Sequence, residues 1–260
     1  MSEPLTHGWE PETAADDSLL RAFVLSTAEV SAWIAERTGG SARRWDDVAA
    51  ADAGSPVLFD NLAVLLAPPA YIDCADAVAR VLDHYPLERH FVLLSPWPTP
   101  DLSGLGVHLM GHPPFMTRAA GGPAPPLPDG LRVAEATDAS ALADAVEVLA
   151  EGFGIPTSGS ALAKPAVLGG PVRIWVGYEG DRSVATAAAR ISHGVIDVEA
   201  VATVPDCRGR GYGEALTWVA TTADPALPAA LYSSDIGRPV YERMGYQAQF
   251  RFTLWHRPPG

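Results

Sequence analysis

Three stretches of the chain place apolar residues at the three- and four-residue spacing of an amphipathic helix. The first covers residues 17–37. The second lies between Asp73 and Pro86, and the third begins after Thr137 and stops at Gly152. Because a capping side chain precedes each of the last two stretches and a helix breaker follows it, we predict a helix in each.

Short apolar runs predict the strands. In the first half they are residues 61–66, residues 90–94 and a strand or strand pair over 107–116, and residues 38–56 are predicted as a loop. In the second half the predicted elements, in order, are strand 131–135, the helix after Thr137, a short helix at 158–168, strands 172–178, 183–191 and 195–204, a helix up to residue 222, strand 231–234, helix 239–244 and strand 247–255. This half therefore has the order β-α-α-β-β-β-α-β-α-β, with an antiparallel meander at its centre.

Residues 119–130 separate the two halves. They hold four prolines and three glycines in twelve positions. That composition is typical of a linker. We therefore divide the chain into a loose acidic leader at 1–16, a first domain at 17–118 and a second domain at 131–257.

The composition is that of a folded protein, with 48% hydrophobic and 19% charged residues;. A net charge of −13 argues against nucleic acid as a partner;. No apolar run reaches the ~20 residues of a membrane span, and the acidic start is unlike a signal peptide. Two cysteines without a framework pattern fit the cytoplasm, and seven histidines without ligand spacing predict no metal site;.

The stretch after the third meander strand is rich in glycine and arginine. It contains Gly209, Gly211 and Gly213, interspersed with Arg208 and Arg210, at the start of a predicted helix. Glycines let backbone N–H groups face one concavity, and a helix start adds unpaired N–H groups and the positive end of the helix dipole. We therefore interpret the loop as a site for phosphate oxygens. The alternative is a solvated glycine turn before an ordinary helix.

The spacing excludes two common phosphate loops. A Walker loop ends in Gly-Lys-Ser/Thr, whereas Gly213 is followed by Glu214 and Ala215;. Nucleotide hydrolysis is therefore a poor interpretation, because no Mg²⁺-binding hydroxyl follows the glycines. A dinucleotide fingerprint needs G-x-G-x-x-G, and here the third glycine comes one residue early. What remains is the pattern R-x-x-G-x-G.

This pattern, formed by Arg208, Gly211 and Gly213, resembles the acetyl-CoA pyrophosphate loop of the GNAT acyltransferases. The segment YERMGY at 241–246 and the order of elements resemble the same family, so the likeness covers residues 131–257. It implies an α+β fold with a mixed, mostly antiparallel central sheet flanked by helices. The first half lacks such a loop and resembles a degenerate GNAT-like α/β copy, which makes the chain a tandem with one working site.

The resemblance implies acetyl-CoA as the acyl donor. In the family, backbone groups at the end of the meander strand pair with the pantetheine, and the loop amides hold the pyrophosphate. The cofactor-binding residues implied here are Val201, Ala202, Thr203, Val204, Arg208, Gly209, Arg210, Gly211, Tyr212, Gly213 and Ser234. Ser234 stands where many members have asparagine.

Two side chains are implied as the catalytic acid and base. Tyr241 heads the YERMGY segment, where the family places a tyrosine near the thioester sulfur, and a phenol with a pKa of ~10 suits a thiolate leaving group;. Glu199 lies on the meander strand, where many members have a carboxylate that acts through water, and Asp197 shares its face;. The alternatives are a packing tyrosine and a carboxylate that faces solvent or is bonded to an arginine such as Arg190.

The sequence therefore predicts an acetyl-CoA-dependent N-acyltransferase that moves an acyl group directly from the thioester to an amine. The alternative from another class is a non-catalytic acyl-CoA-binding module with a regulatory or structural role. The acceptor is left open between small molecules and peptides, and no oligomeric state is assigned.

Overall fold

The computed structural model describes residues 8–10, 12–156 and 158–258. Its helices are α1 (Leu19–Arg37), α2 (Cys74–His84), α3 (Ala139–Phe153), α4 (Tyr212–Thr221) and α5 (Arg238–Arg243). Its strands are β1 (Ser41–Arg44), β2 (Val48–Asp52), β3 (Leu62–Leu65), β4 (Phe91–Ser95), β5 (His108–Gly111), β6 (Pro114–Arg118), β7 (Leu131–Glu135), β8 (Val172–Glu179), β9 (Arg182–Ser192), β10 (Val195–Thr203), β11 (Ala229–Tyr232), β12 (Gln247–Arg251) and β13 (Thr253–Arg257).

The strands form two sheets. The first has six strands in the order β1-β2-β3-β4-β13-β5, and the second has seven in the order β12-β6-β11-β10-β9-β8-β7. Within the described residues the pairs β3/β4 and β10/β11 are parallel and all the others are antiparallel. The predicted mixed α+β fold with a mostly antiparallel sheet is therefore confirmed.

Two strands cross between the halves of the chain. β6 precedes the 119–130 stretch, yet it lies between β11 and β12 in the second sheet. β13 is the last strand in sequence order among the described residues, yet it lies between β4 and β5 in the first sheet. Each half therefore completes the sheet of the other, and the 119–130 stretch connects β6 and β7 of one and the same sheet.

Phe252 marks the point where the chain passes from one sheet to the other. The single strand predicted for 247–255 is wrong, because β12 ends at Arg251 and β13 starts at Thr253 in the other sheet. Phe252 is completely buried and stacks on Phe115 of β6, with ring centroids 4.8 Å apart. Its ring belongs to a core to which both sheets contribute side chains.

Helix α1 lies between the two sheets and is buried along most of its length. Its N-terminal part, including Phe23, packs with residues of β3 and β4 and with Phe252. Its C-terminal part, including Val30 and Ile34, packs with Ile174 of β8 in the second sheet. Burial of apolar residues on both sides of one helix joins the halves into a common core.

Several local predictions differ from the structure. Residues 38–56 are predicted as a loop but contain β1 and β2. The sequence pattern misses β2 because the buried run Ala49–Ala51 has neither alternation nor β-forming side chains;. Residues 158–168 form two 3₁₀ turns, Ala161–Ala163 and Pro165–Val167, because Pro165 lacks the N–H that would continue a helix;. Helix α3 is capped by Asp138 and ends at Gly154, which adopts φ 65°;.

The described part of the predicted leader contacts the first half. Residues 1–7 and 11 lie outside the described residues. The guanidinium of Arg21 on α1 donates to the carbonyls of Glu10, Thr13 and Ala14 at 3.1, 2.8 and 2.9 Å. None of the helices described here combines the length and apolarity that crossing a bilayer requires.

Replacing Phe252 by alanine is expected to lower the free energy of unfolding by about 3–5 kcal/mol, because it removes a ring buried by both sheets. Urea unfolding followed by tryptophan fluorescence and far-UV circular dichroism measures this loss. Phe250→Ala is the matched control, because Phe250 is 38% exposed and its loss should cost about 1 kcal/mol or less;. Equal losses in the two variants would contradict a core shared through Phe252.

Candidate active site

Strand β10 changes course near its end. It pairs with β9 along its length, but the register shifts between Glu199 and Ala202. Within this bulge Ala200 adopts φ 52°, a left-handed conformation that alanine rarely takes;. A bulge of this kind bends a strand and redirects its side chains and its free edge.

A gap opens between β10 and β11 beyond the bulge. The two strands pair only at Ile196 with Ala229 and Asp197 with Ala230, although β10 continues to Thr203. β11 continues alongside β6 on its other side. In the described part of the chain, the edge of β10 that faces β11 therefore has no partner strand after Asp197. This β10–β11 gap leaves the backbone N–H and C=O groups at that edge of β10 without a partner strand.

The glycine-rich loop lies at the end of the same strand. Gly209 and Gly211 adopt φ 78° and 82°, and Gly211 begins α4 without a capping side chain. The backbone N–H groups from Gly209 to Glu214 donate no hydrogen bond to any described residue. Unpaired N–H groups at a helix start, reinforced by the helix dipole, bind anions.

The loop lies directly against β10. A Cβ added to Gly213 would lie 2.9 Å from Thr203 Oγ1, so only glycine permits this approach of α4 to the strand;. The open strand edge and the unpaired amides are thus adjacent.

Both loop arginines are bound to protein groups. Arg208 donates to the carbonyls of Gly152 and Thr203 at 2.5 and 3.3 Å. Arg210 forms an ion pair with Glu179 at 2.8 Å, and the Tyr212 hydroxyl donates to the same carboxylate at 3.0 Å. These contacts position the loop on α3 and β8, so in this structure the backbone amides are the free anion-binding groups.

The side chains of Tyr241 and Ser234 both lie close to Gly237. A Cβ added to Gly237 would be 3.2 Å from Ser234 Oγ and 3.4 Å from Tyr241 Cε2. Burial raises the pKa of the Tyr241 phenol above its usual value, and its hydroxyl has no hydrogen bond with a described residue;. The phenol therefore holds its proton at neutral pH and is free to donate it.

Glu199 is paired with an arginine. Its Oε1 lies 2.7 Å from Nε of Arg190, the arginine named above as an alternative partner of this carboxylate. Arg190 is buried, and its Nη1 donates at 2.8 Å to the hydroxyl of Ser31 on α1. The Glu199 side chain remains 21% exposed, and its second oxygen has no hydrogen bond with a described residue.

Asp197 shares this charged cluster. It pairs in register with Arg190, and only 3% of its surface is exposed. Burial first, and the neighbouring charge of Glu199 second, raise the pKa of Asp197 to about 8, although Arg190 opposes this;. At neutral pH Asp197 is therefore largely protonated.

Sequence reasoning misses two contributors to the cluster. Tyr232 lies on β11 beside the gap, where burial and then the charges of Asp197 and Glu199 raise the pKa of its phenol. Ser31 belongs to the other half of the chain, and nothing in the sequence pairs it with a residue 159 positions away. The signal that was available is the lone charge of Arg190 in the alanine-rich strand SVATAAARI.

Cys207 and the possible metal ligands complete the description of this region. Cys207 is buried, and burial raises the pKa of its thiol, which fits a packed residue;. Among the described residues no group of three or more histidine, cysteine, aspartate or glutamate side chains is arranged to hold a metal ion.

Comparisons with known proteins bear on this region of the chain. The sequence model of the acetyltransferase (GNAT) domain matches residues 170–248. Residues 170–248 belong to the GNAT family. The matched range runs from just before β8 into β12 and includes the gap, the loop and Tyr241.

Solved structures show that the GNAT fold extends over most of the chain. A GCN5-related N-acetyltransferase from Kribbella flavida aligns with a TM-score of 0.65 and 20% identity, over 91% of this chain and 95% of that one. A functionally unknown conserved protein from Staphylococcus epidermidis aligns with a TM-score of 0.58 and 13% identity, over 84% and 93%. A GCN5-related N-acetyltransferase from Sphaerobacter thermophilus aligns with a TM-score of 0.52 and 17% identity, over 82% and 78%. A search of curated protein sequences found no match.

Replacing Asp197 by asparagine is expected to flatten the pH dependence of stability. Folding raises the pKa of Asp197. The contribution of its protonated form to the free energy of unfolding is therefore fully present below about pH 4 and is lost as the pH rises towards 8;. Urea unfolding at pH 5, 6.5 and 8 should show a smaller loss in Asp197→Asn than in the unsubstituted protein.

Asp235→Asn is the control for this measurement. Asp235 is exposed, and its hydrogen bond with Arg251 lowers its pKa, so it is ionised in both the folded and the unfolded state from pH 5 to 8;. Its replacement should leave the pH slope unchanged. An Asp197→Asn slope equal to that of the unsubstituted protein would refute the raised pKa.

Proposed function

We propose that the protein is an acetyl-CoA-dependent N-acyltransferase that moves an acyl group from the thioester directly to an amine. The observation that carries the proposal is the continuity of the β10 edge with the unpaired amides of 209–214. A strand edge can pair with the amides of pantetheine, and helix-start amides can bind its diphosphate. The GNAT family match supports acyl transfer in general.

The residues present fit coenzyme A in this position. Backbone groups of 201–204 would hold the pantetheine, and the amides of 209–213 would hold the diphosphate, with Ser234 beside the gap. Gly213 keeps the loop close enough to β10 for one extended ligand to reach both. The side chains of Arg208 and Arg210 already have protein partners. Their role would therefore be to hold the loop in place and to add positive potential near the diphosphate.

The acyl step would need few protein groups. The amine nitrogen attacks the thioester carbonyl carbon, the C–S bond breaks, and the amine loses a proton. Glu199, directly or through water, would take that proton, and Tyr241 would donate its own to the departing thiolate. A backbone N–H of the β10 edge would stabilise the negative charge on the carbonyl oxygen. Holding both reactants together contributes up to about 7–11 kcal/mol.

The acceptor would be an amine of a small molecule or a peptide, and both remain part of the proposal. The acidic chain, with a net charge of −13, favours cationic acceptors through long-range attraction;. The two cysteines are free and buried, which agrees with a cytoplasmic setting;.

Turnover separates this proposal from the alternative, a non-catalytic acyl-CoA-binding module. The ion pair between Glu199 and Arg190 favours that alternative, because it engages the proposed base. Thiol release from acetyl-CoA should be detected with at least one member of a broad amine panel. Tyr241→Phe and Glu199→Gln should each lower kcat by roughly 10²-fold or more while the acetyl-CoA Kd stays the same. Acetyl-CoA binding without any thiol release would favour the binding module.

Replacing Gly211 by valine is expected to weaken acetyl-CoA binding at least about 10-fold, because a β-branched residue cannot hold φ 82° without distorting the amides around it;. Isothermal titration calorimetry measures the Kd. Gly180→Val is the matched control, because Gly180 also has a positive φ, 60°, but lies in the β8–β9 turn with open space around it. Unchanged binding in Gly211→Val would refute the loop assignment.

A further inference from the structure

We propose that Asp60, in the first half of the chain, is a positioning residue for the acceptor side of the site. Its carboxylate holds residues 158–170 of the second half, named here the wall segment, as one wall of the acceptor pocket. This inference rests on the proposed function, because it needs an amine acceptor to bind beside Glu199.

One oxygen of Asp60 gathers three donors. Asp60 Oδ2 accepts from the hydroxyl of Ser55 at 2.6 Å, from the hydroxyl of Ser160 at 3.0 Å and from the backbone N–H of Ala161 at 2.7 Å. Ser160 is buried and also accepts from the N–H of Leu162 at 3.2 Å, so it caps the first 3₁₀ turn. The carboxylate therefore ties the start of that turn to the first half. Hydrogen bonds to a charged acceptor are stronger than neutral ones.

Helix α1 holds the rest of the wall segment. The ammonium of Lys164 donates at 2.7 Å to the carbonyl of Thr38, where the negative end of the helix dipole favours a cation;. At the far end a Cβ on Gly170 would lie 2.2 Å from ring carbons of Trp33, so the backbone there packs directly against the indole. The wall segment is thus attached to the first half at its beginning, middle and end.

The wall segment lies on the same side of the second sheet as Glu199. Glu199 is in register with Ala188, and side chains directly opposite each other on paired strands share one face;. Ala188 is buried in one core with Ala161 and Val167 of the wall segment, and Ala200 packs at the edge of that core. The next residue in β9, Ala189, belongs instead to the core under α4.

The acyl donor and the amine acceptor would therefore approach each other from opposite faces of the second sheet. The loop and α4 occupy one face of the sheet, whereas the wall segment, α1 and the Arg190–Glu199 pair occupy the other. A shift of the wall segment would then change the acceptor pocket and leave the acetyl-CoA contacts in place. This separation makes the role of Asp60 measurable.

The test compares Asp60→Ala and the milder Ser160→Ala with Asp47→Ala. Asp47 is the matched control, because its ion pair with Arg80 at 2.7 Å lies wholly within the first half. For each protein we would measure amide hydrogen exchange of peptides spanning 158–170, the acetyl-CoA Kd by calorimetry, and kcat and KM for an accepted amine.

Asp60→Ala should raise the amine KM about 10-fold or more, since it removes charge-assisted hydrogen bonds from the wall. It should speed exchange in 158–170 and change the acetyl-CoA Kd less than about 2-fold. Ser160→Ala should act in the same direction with a smaller effect, and Asp47→Ala should leave exchange in 158–170 and the amine KM unchanged.

Other results would overturn the inference. An unchanged amine KM in both test variants, or a Kd for acetyl-CoA that rises in step with the KM, would assign Asp60 a general structural role. If Asp60→Ala does not fold, Ser160→Ala alone decides. An unsubstituted protein without turnover on any amine would instead refute the proposed function, and the acceptor role of Asp60 with it.

Discussion

The divergence of β10 from β11 is the constraint on which the candidate site depends. If these strands paired to their ends, the backbone groups of 199–203 would be satisfied within the sheet, and no ligand could use them. The bulge at Ala200 and the pairing of β11 with β6 keep the strands apart. The left-handed alanine is a local strain that the surrounding core must support. The strand arrangement of the sheet therefore leaves the backbone groups at this position unpaired.

That support comes from both halves of the chain. β6 holds β11 from one side, and α1 packs against β9 and β10 on one face. The same helix binds Arg190 through Ser31 and so fixes the charge beside Glu199. A half without a phosphate loop of its own therefore still determines the geometry and electrostatics of the site.

The sequence predicts what is encoded locally. The meander β8–β10, the loop and helix α4 follow from alternation, turn residues and glycine spacing, and the predicted bounds lie within a few residues of those observed. Strand β2 is not predicted because its alanines carry no pattern. The exchange of β6 and β13 between the sheets is not predicted either, because strand partners are set by contacts distant in sequence. Ser31 and Asp60 become relevant only once those contacts form.

The position of β13 has a consequence for how the chain is made. The first sheet needs a strand between β4 and β5 that is encoded by residues 253–257, which are synthesised long after both of those strands. Until then the nascent first half exposes two unpaired strand edges and the apolar faces next to them, a state prone to association. The first sheet therefore cannot be completed before the second half has been synthesised, and slow pairing across such a long sequence separation makes chaperone protection during synthesis valuable.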